Sequence, residues 1–207
     1  TNTAMNLGTV TLAAATILST GNNAAATITV GNVTAATFGL TLNSGSTAGA
    51  TISMGTMADM SGGLTLTNAG GLATISTLGG TTPGALVITN STNGVTFSST
   101  VHATTLTISD TTAAKTITFS GNLTLDTSMT VTGTANAYNV AINGSSNSIA
   151  GATTFANTGT LSLGAAGGTS TFTGGLVATA NSSRTLYGTI RTTNTALNLA
   201  SVTLAAP

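Results

Sequence analysis

The sequence contains no cysteine, no tryptophan and no glutamate, and only six of its 207 residues are charged. Without cysteine, and with His102 as the single histidine, the chain lacks the usual ligands of zinc sites and the nucleophile of thiol chemistry. Three basic side chains cannot neutralise a phosphate backbone, so we expect no nucleic acid as a partner. The composition therefore indicates no metal and no other cofactor.

Long apolar runs are also missing. Threonine, serine, asparagine and glycine interrupt every apolar segment, so none approaches the ~20 residues of a membrane-spanning helix, and we predict no transmembrane segment. Disordered chains usually combine low hydrophobicity with high charge. This chain has 41% hydrophobic and 3% charged residues, which predicts an ordered structure.

Short segments with strand periodicity run through the whole chain. Residues 26–30 and 116–119 are examples, in which apolar residues alternate with threonine. Alternation of this kind places apolar side chains on one side of a strand and threonine on the other. Turn sequences rich in glycine, asparagine and serine separate the segments, and none of them has helical spacing. The pattern indicates an all-β protein.

A longer repeat is superimposed on this alternation. Two ladders of apolar strand residues recur at steps of 20 to 24 residues, averaging between 22 and 23. The first ladder consists of Ile28, Ile52, Ile75, Phe97, Phe119, Ile142, Leu163 and Leu186, and the second of Leu42, Leu66, Ile88, Ile108, Val131, Phe155, Val177 and Leu199. A period of this length fits one coil of three short strands and three turns.

We therefore predict a right-handed parallel β-helix (β-solenoid) of about nine coils, each of 22–23 residues and three short strands. Residues 1–207 would form a single solenoid segment, uncapped at both ends. An antiparallel sandwich or barrel would also explain strands every 8–12 residues, but it does not predict ladders of 22–23 residues.

The beginning of the sequence recurs near its end. Residues 1–14 and 193–206 are identical at eleven of fourteen positions, at an offset of 192 residues. An open coil end presents unpaired N–H and C=O groups that a further coil can pair with. We predict an end-to-end contact with another copy or an adjacent repeat of the same chain, through Thr1, Asn2, Leu7, Val10, Leu12, Leu197, Leu199, Val202 and Leu204.

One stretch resembles the coils of a known class of proteins. Residues 94–108, GVTFSSTVHATTLTI, are similar to the repeats of filamentous-haemagglutinin-like and autotransporter-type β-strand repeat proteins, and residues 159–179 resemble them more loosely. The resemblance implies an extracellular or cell-surface location and a structural role in a bacterial fibre, adhesin or sheath. It implies no active residues.

Pairs of threonines separated by one residue could form a binding surface. Flat threonine ranks favour ice binding, whereas a groove lined by aromatic side chains would favour glycans, with Tyr138 and Tyr187 available beyond the phenylalanines. A structural alternative is that threonine simply suits an exposed strand. The candidate ranks are Thr27, Thr29, Thr65, Thr67, Thr105, Thr107, Thr116, Thr118, Thr130 and Thr132.

The charged residues do not predict an enzyme. Cleavage of a polysaccharide would need paired carboxylates with a basic residue on one face. Asp110 and Asp126 are better explained as turn residues and Lys115 as a solvated corner. We expect His102 to face solvent on a strand. Arg184 and Arg191 are likewise expected to be exposed.

Overall fold

The computed structural model describes residues 3–35 and 37–205. These residues form short β-strands joined by turns and include no helix. In chain order the strands are β1 (Met5–Leu7), β2 (Val10–Thr11), β3 (Thr16–Ser19), β4 (Ile28–Val30), β5 (Val33–Thr34), β6 (Leu40–Asn43), β7 (Ile52–Met54), β8 (Met57–Asp59), β9 (Leu64–Asn68), β10 (Ala73–Ile75), β11 (Leu78–Thr82), β12 (Ala85–Ile88), β13 (Val95–Phe97), β14 (Val101–Ile108), β15 (Thr116–Phe119), β16 (Leu123–Val131), β17 (Asn139–Ile142), β18 (Ser146–Ile149), β19 (Thr153–Phe155), β20 (Thr160–Leu163), β21 (Thr169–Phe172), β22 (Leu176–Ala178), β23 (Ser183–Leu186), β24 (Thr189–Thr192), β25 (Leu197–Leu199) and β26 (Thr203–Leu204). In this part of the chain, no helix is therefore present that could cross a membrane.

The strands stack in parallel to form the three faces of a β-solenoid. The first face is the ten-stranded sheet that starts with β1 and β4 and ends with β23 and β26. The second face runs from β2 through β11 to β24, and the third from β3 through β12 to β25. Because β14 and β16 are long and bend, each contributes to both the second and the third face. The sequence prediction of a parallel β-solenoid is confirmed.

The register of the first face gives the length of a coil. Met5 and Arg184 are connected by eight successive strand pairings, so one turn takes about 22 residues. The strands from β1 to β25 therefore make up nine coils, and β26 begins another. Parallel strands lie about 4.8 Å apart, which makes eight turns about 38 Å long.

One apolar core runs through the middle of the coils. Alternate residues of every face point inward, and most of them are completely buried. The rings of Phe97 and Phe119, in consecutive coils, stack with centroids 4.7 Å apart and planes 5° from parallel. Burial is confirmed for the predicted core positions Ile28, Ile52, Ile75, Phe119, Ile142 and Leu163.

The first predicted ladder is correct except at the step from Ile52 to Ile75. Ile75 pairs with Met54, and Ile52 pairs with Ala73. The error is two residues along a strand, and residues two apart point to the same side. The burial pattern is therefore the same in both registers.

The second predicted ladder is wrong at Val177. The pairing of Thr154 with Val177 places Ala178, not Val177, after Phe155 in the inward-facing column. A shift of one residue moves a side chain to the opposite side of the strand. Accordingly Ala178 is completely buried and Val177 faces outward. The larger apolar side chain is thus on the outside, because the register and not the hydrophobicity of one residue decides the orientation.

Arg184 is buried, which contradicts the expectation that it is exposed. Its side chain is 6% accessible, and it occupies the rung after Leu161 in an otherwise apolar column. The guanidinium donates hydrogen bonds to main-chain carbonyl oxygens of Thr179 at 2.9 Å and Ser201 at 3.0 Å, and also to those of Ala178 and Asn181. Hydrogen bonds to these carbonyls replace the hydrogen bonds to water that the guanidinium loses on burial.

Candidate functional site

The predicted threonine ranks are divided between two faces of the solenoid. Thr27, Thr29, Thr116 and Thr118 lie on or beside strands of the first face. The other six, Thr65, Thr67, Thr105, Thr107, Thr130 and Thr132, lie on or beside strands of the third face. The ten residues therefore do not form one plane.

Each of these faces has its own outward-facing column of residues in register. We call the first of them the first-face column; six of its ten members are threonine and two are serine. Its members are Asn6, Thr29, Ser53, Thr74, Thr96, Thr118, Ala141, Ser162, Thr185 and Thr203. It presents hydroxyl groups at the spacing of the coils.

The corresponding column on the third face is less polar. It contains Ile17, Val87 and Val177 among its threonines and ends at Asn198. Between these positions it contains Thr41, Thr65, Thr107, Thr130 and Thr154. Every rung before Asn198 is β-branched, as expected for an outward strand position. The third face therefore mixes methyl groups with hydroxyls, whereas the first-face column is mainly hydroxylated.

His102 lies on the second-face part of β14, two residues before the bend, and connects three coils. Its Nδ1 atom is 2.9 Å from the carbonyl oxygen of Gly80 in the preceding coil. Its Nε2 atom is 3.0 and 3.1 Å from the two carboxylate oxygens of Asp126 in the following coil. Both ring nitrogens therefore face acceptors, an arrangement that favours the doubly protonated imidazolium.

The pairing of His102 with Asp126 was not predicted from the sequence. The two residues are 24 positions apart, which is close to one coil. Asp126 is in a register shift of β16, opposite the step from Ala103 to Thr105 in β14. That irregularity turns the carboxylate towards the histidine. The spacing of 24 residues was the one signal in the sequence that could have revealed the pair.

We predict that the contact between His102 and Asp126 weakens as the pH rises. Partial burial by itself lowers the pKa of His102, but the hydrogen bonds to Asp126 and Gly80, with the negative charge of Asp126, outweigh it and raise the pKa above its usual value. A pKa that is raised on folding stabilises the folded protein fully at pH values below the unfolded-state pKa. This contribution is lost as the pH rises through the folded-state pKa. NMR titration of the imidazole should give a lower pKa in Asp126→Asn, and an unchanged pKa would contradict the pairing.

Asp110 lies at another corner, after β14 and before β15. Its carboxylate accepts hydrogen bonds from the backbone N–H of Thr111 and the hydroxyl of Thr134, both at 2.8 Å, and from the amide of Asn136 at 2.9 Å. Burial and the charge of Asp110 raise the pKa of Tyr138, whose hydroxyl donates to the Thr132 carbonyl oxygen at 2.6 Å. Asp110 thus holds a turn together. Asp126, which was also expected in a turn, lies within β16 at its register shift.

Comparisons with protein-family models, with curated proteins and with solved structures give no match to this chain. Among residues 3–35 and 37–205, no three His, Asp, Glu or Cys side chains are grouped so that they could hold a metal ion.

The predicted end-to-end residues lie in the outermost coils of the described structure. Thr1 and Asn2 are outside the described residues. Leu7 and Val10 are half-buried and Leu12 is buried. At the other end Leu199 is half-buried, whereas Leu197, Val202 and Leu204 are exposed, the last with 76% of its surface accessible.

The two outermost coils have open edges within the described residues. β1, β2 and β3 each pair on one side only, and so do β24, β25 and β26. At the edge formed by β24, β25 and β26 the core opens into an apolar cavity of about 350 Å³. It is lined mainly by Leu186, Ile190, Leu197, Leu199 and Leu204, with Gly167, Gly188 and Ala205. The apolar column of the core thus continues to a surface that a further coil could cover.

Proposed function

We propose that this chain is a structural segment of an extracellular bacterial fibre, adhesin or sheath built from stacked β-solenoid coils. The observation that carries the proposal is the pair of open edges, where within residues 3–35 and 37–205 the outermost parallel strands pair on one side only and inward-facing apolar residues are half-buried. Such edges are templates for further strands. The resemblance of residues 94–108 to β-strand repeat proteins supports the proposed cell-surface location.

The partner that fits these edges is another copy or repeat of the same solenoid. Copies that stack in parallel along one axis meet through opposite ends. The edge with β1, β2 and β3 of one copy would therefore join the edge with β24, β25 and β26 of the other. The second and third faces end at β24 and β25, whereas the first face continues to β26, so the joining copy meets an edge that is one strand longer on the first face. A head-to-tail contact that does not close into a ring builds a filament.

Apolar surface on both edges would drive this contact. Met5, Leu7 and Leu18 are half-buried at one edge, and Leu186 and Leu204 line the cavity at the other. Their burial would add to the pairing of three sheets. None of the described residues that line the cavity is charged, so the contact would require no buried charge from them.

We predict that the isolated chain associates end to end and that Leu204→Asp weakens the association. The substitution would place an unpaired charge in the joint, although Leu204 is so exposed in the single chain that folding should be little affected. Light scattering and electron microscopy at increasing protein concentration would measure assembly. Leu72→Asp is the matched control, because Leu72 is also exposed but lies in a middle coil.

Two outcomes would contradict the proposed contact. One is a monodisperse monomer at all concentrations, and the other is equal assembly of Leu204→Asp, Leu72→Asp and the unchanged chain. Circular dichroism of the three proteins would show that any difference in assembly does not come from unfolding.

Ice binding is a second candidate function, and the first-face column is the observation that favours it. Its threonines and serines repeat at the coil spacing of about 4.8 Å on one sheet. We expect Thr96→Lys, in the middle of this column, to abolish any inhibition of ice recrystallisation. Thr107→Lys, on the third face, is the control and should leave it unchanged. Inactivity of the unchanged protein would exclude this candidate.

A further inference from the structure

Tyr187 differs in position from most of the large aromatic side chains, because it is only partly buried, as Phe38 also is. Tyr138, Phe97, Phe119, Phe155 and Phe172 are completely buried in the core. Tyr187 is partly exposed at the corner between the first and second faces, directly after β23. Its side chain is therefore available to a ligand, as that of Tyr138 is not.

The corner that contains Tyr187 is built from one residue of each coil. Each of these residues follows a strand of the first face, and its N–H donates to a carbonyl of the preceding coil, as Tyr187 N does to Leu163 O at 2.9 Å. The other members are small or polar, namely Gly31, Gly55, Ser76, Ser98, Ser120, Asn143 and Gly164. A large ring on this column stands out from the corner and forms one wall of a groove.

The groove lies between Asn143 and Tyr187, with Gly164 on the rung between them. It has a volume of about 340 Å³ and is lined by Asn143, Ser162, Gly164, Ala165, Ala166 and Tyr187. Because two coil steps separate Asn143 from Tyr187, their backbones are about 9.6 Å apart along the solenoid axis. The missing side chain of Gly164 leaves the space between the two walls.

Gly164 cannot be replaced without loss of this space. Its φ angle of +88° is in the left-handed region that favours glycine. A Cβ atom here would lie 2.3 Å from the carbonyl oxygen of Tyr187, which belongs to the backbone and cannot move aside. The space at Gly164 is therefore a consequence of the backbone at this corner, and the Tyr187 side chain supplies the wall beside it.

Polar groups in the groove remain available for a ligand. The hydroxyl of Ser162 donates a long hydrogen bond of 3.5 Å to Oδ1 of Asn143. Within the described part of the chain, the amide nitrogen of Asn143 and the hydroxyl of Tyr187 make no hydrogen bond. The groove thus combines an aromatic ring and two alanine methyl groups with an amide donor and two hydroxyls.

We propose that the groove between Asn143 and Tyr187 binds one ring of a neutral sugar. A pyranose ring has an apolar C–H face, which suits the Tyr187 ring, and a rim of hydroxyls, which the Asn143 amide and the Ser162 hydroxyl can bind. The volume is at the lower end of the range for small-molecule pockets, so the groove accommodates one ring and not a long oligosaccharide. This site is independent of the proposed end-to-end assembly.

The chemistry of the lining disfavours acidic sugars and wholly apolar ligands. None of the six lining residues is charged, so the carboxylate of an acidic sugar would have no cationic partner. A wholly apolar ligand would cover the amide of Asn143 and the hydroxyl of Ser162 without replacing their bonds to water, which is unfavourable. A neutral sugar satisfies both the aromatic and the polar parts of the groove.

The test uses the methyl glycosides of glucose, galactose, mannose and N-acetylglucosamine as probes. Each is titrated to millimolar concentration into ¹⁵N-labelled protein, and the Asn143 side-chain amide and the backbone amides of residues 162–166 and 187 are followed by NMR. At least one probe should shift these signals. Tyr187→Ala should weaken its binding about tenfold, and Tyr187→Phe, which keeps the ring, should weaken it less.

Further comparisons make the result decisive. Asn143→Ala should also weaken binding, whereas Ser76→Ala, on the same corner but outside the groove, should not. The proposal is overturned if no probe shifts the groove signals, or if the shifts persist unchanged in Tyr187→Ala. Methyl glucuronide binding more tightly than methyl glucoside would overturn the assignment to neutral sugars. Circular dichroism of each variant verifies that the solenoid is intact.

Discussion

The Ile75→Asp variant is expected to lose about 4 kcal/mol or more of its free energy of unfolding. Ile75 is completely buried in β10, between Met54 and Phe97 of the neighbouring coils. An aspartate here would place an unpaired carboxylate in the apolar core, which is among the most destabilising substitutions possible. Because coils are stabilised mainly by their neighbours, damage to a middle coil should affect both halves of the solenoid.

The matched control for this variant is Thr74→Asp. Thr74 is the preceding residue of the same strand, but its side chain is exposed on the first face. A charge there remains in water, so the expected change is within about 0.5 kcal/mol. Denaturant unfolding followed by circular dichroism measures both variants. Equal stability of the two would show that the assignment of inward and outward residues is wrong.

Gly84→Ala is expected to destabilise the solenoid by about 2–3 kcal/mol through crowding of the backbone. A Cβ atom on Gly84 would lie 1.9 Å from the carbonyl oxygen of Met60 in the preceding coil. To avoid this contact the two coils would have to move apart. The hydrogen bond from Thr104 N to Gly84 O, 2.9 Å long, would also be strained.

Gly8→Ala is the control for the effect of crowding. A Cβ atom on Gly8 would meet no atom of residues 3–35 and 37–205 within 4 Å. The substitution should therefore be neutral or slightly stabilising, since alanine restricts the unfolded chain more than glycine does. Thermal unfolding of both variants gives the comparison. Equal effects of the two substitutions would contradict the close approach of the coils at Gly84.

The fold was predictable because two periodicities in the sequence have separate physical causes. Alternation within a strand follows from the pleat, and the 22-residue repeat follows from the need of each coil to cover the apolar side of the next. The threonine pairs were identified from the same alternation. Their division between the first and third faces follows the two ladders, because each pair adjoins a rung of one ladder or of the other.

The contacts of the charged residues depended on details that periodicity does not contain. His102 meets Asp126 because β16 is irregular there, and Arg184 is buried because carbonyl groups of the last turns surround it. The groove at Tyr187 likewise depends on Gly164 lying on the rung next to it. In each case a local irregularity or turn sets the geometry, and the residue types alone do not reveal it.

The repeated segment shows most directly what the sequence determined alone and what required the tertiary structure. In both copies the sequence determines a strand, a turn and a second strand. However, Met5–Leu7 lies on the first face as β1, whereas its counterpart Leu197–Leu199 lies on the third face as β25. All three faces have the same alternation, so the local sequence is compatible with each of them. The lengths of the intervening coils decide the face, because the sum of their residues fixes the point of a coil at which the second copy begins.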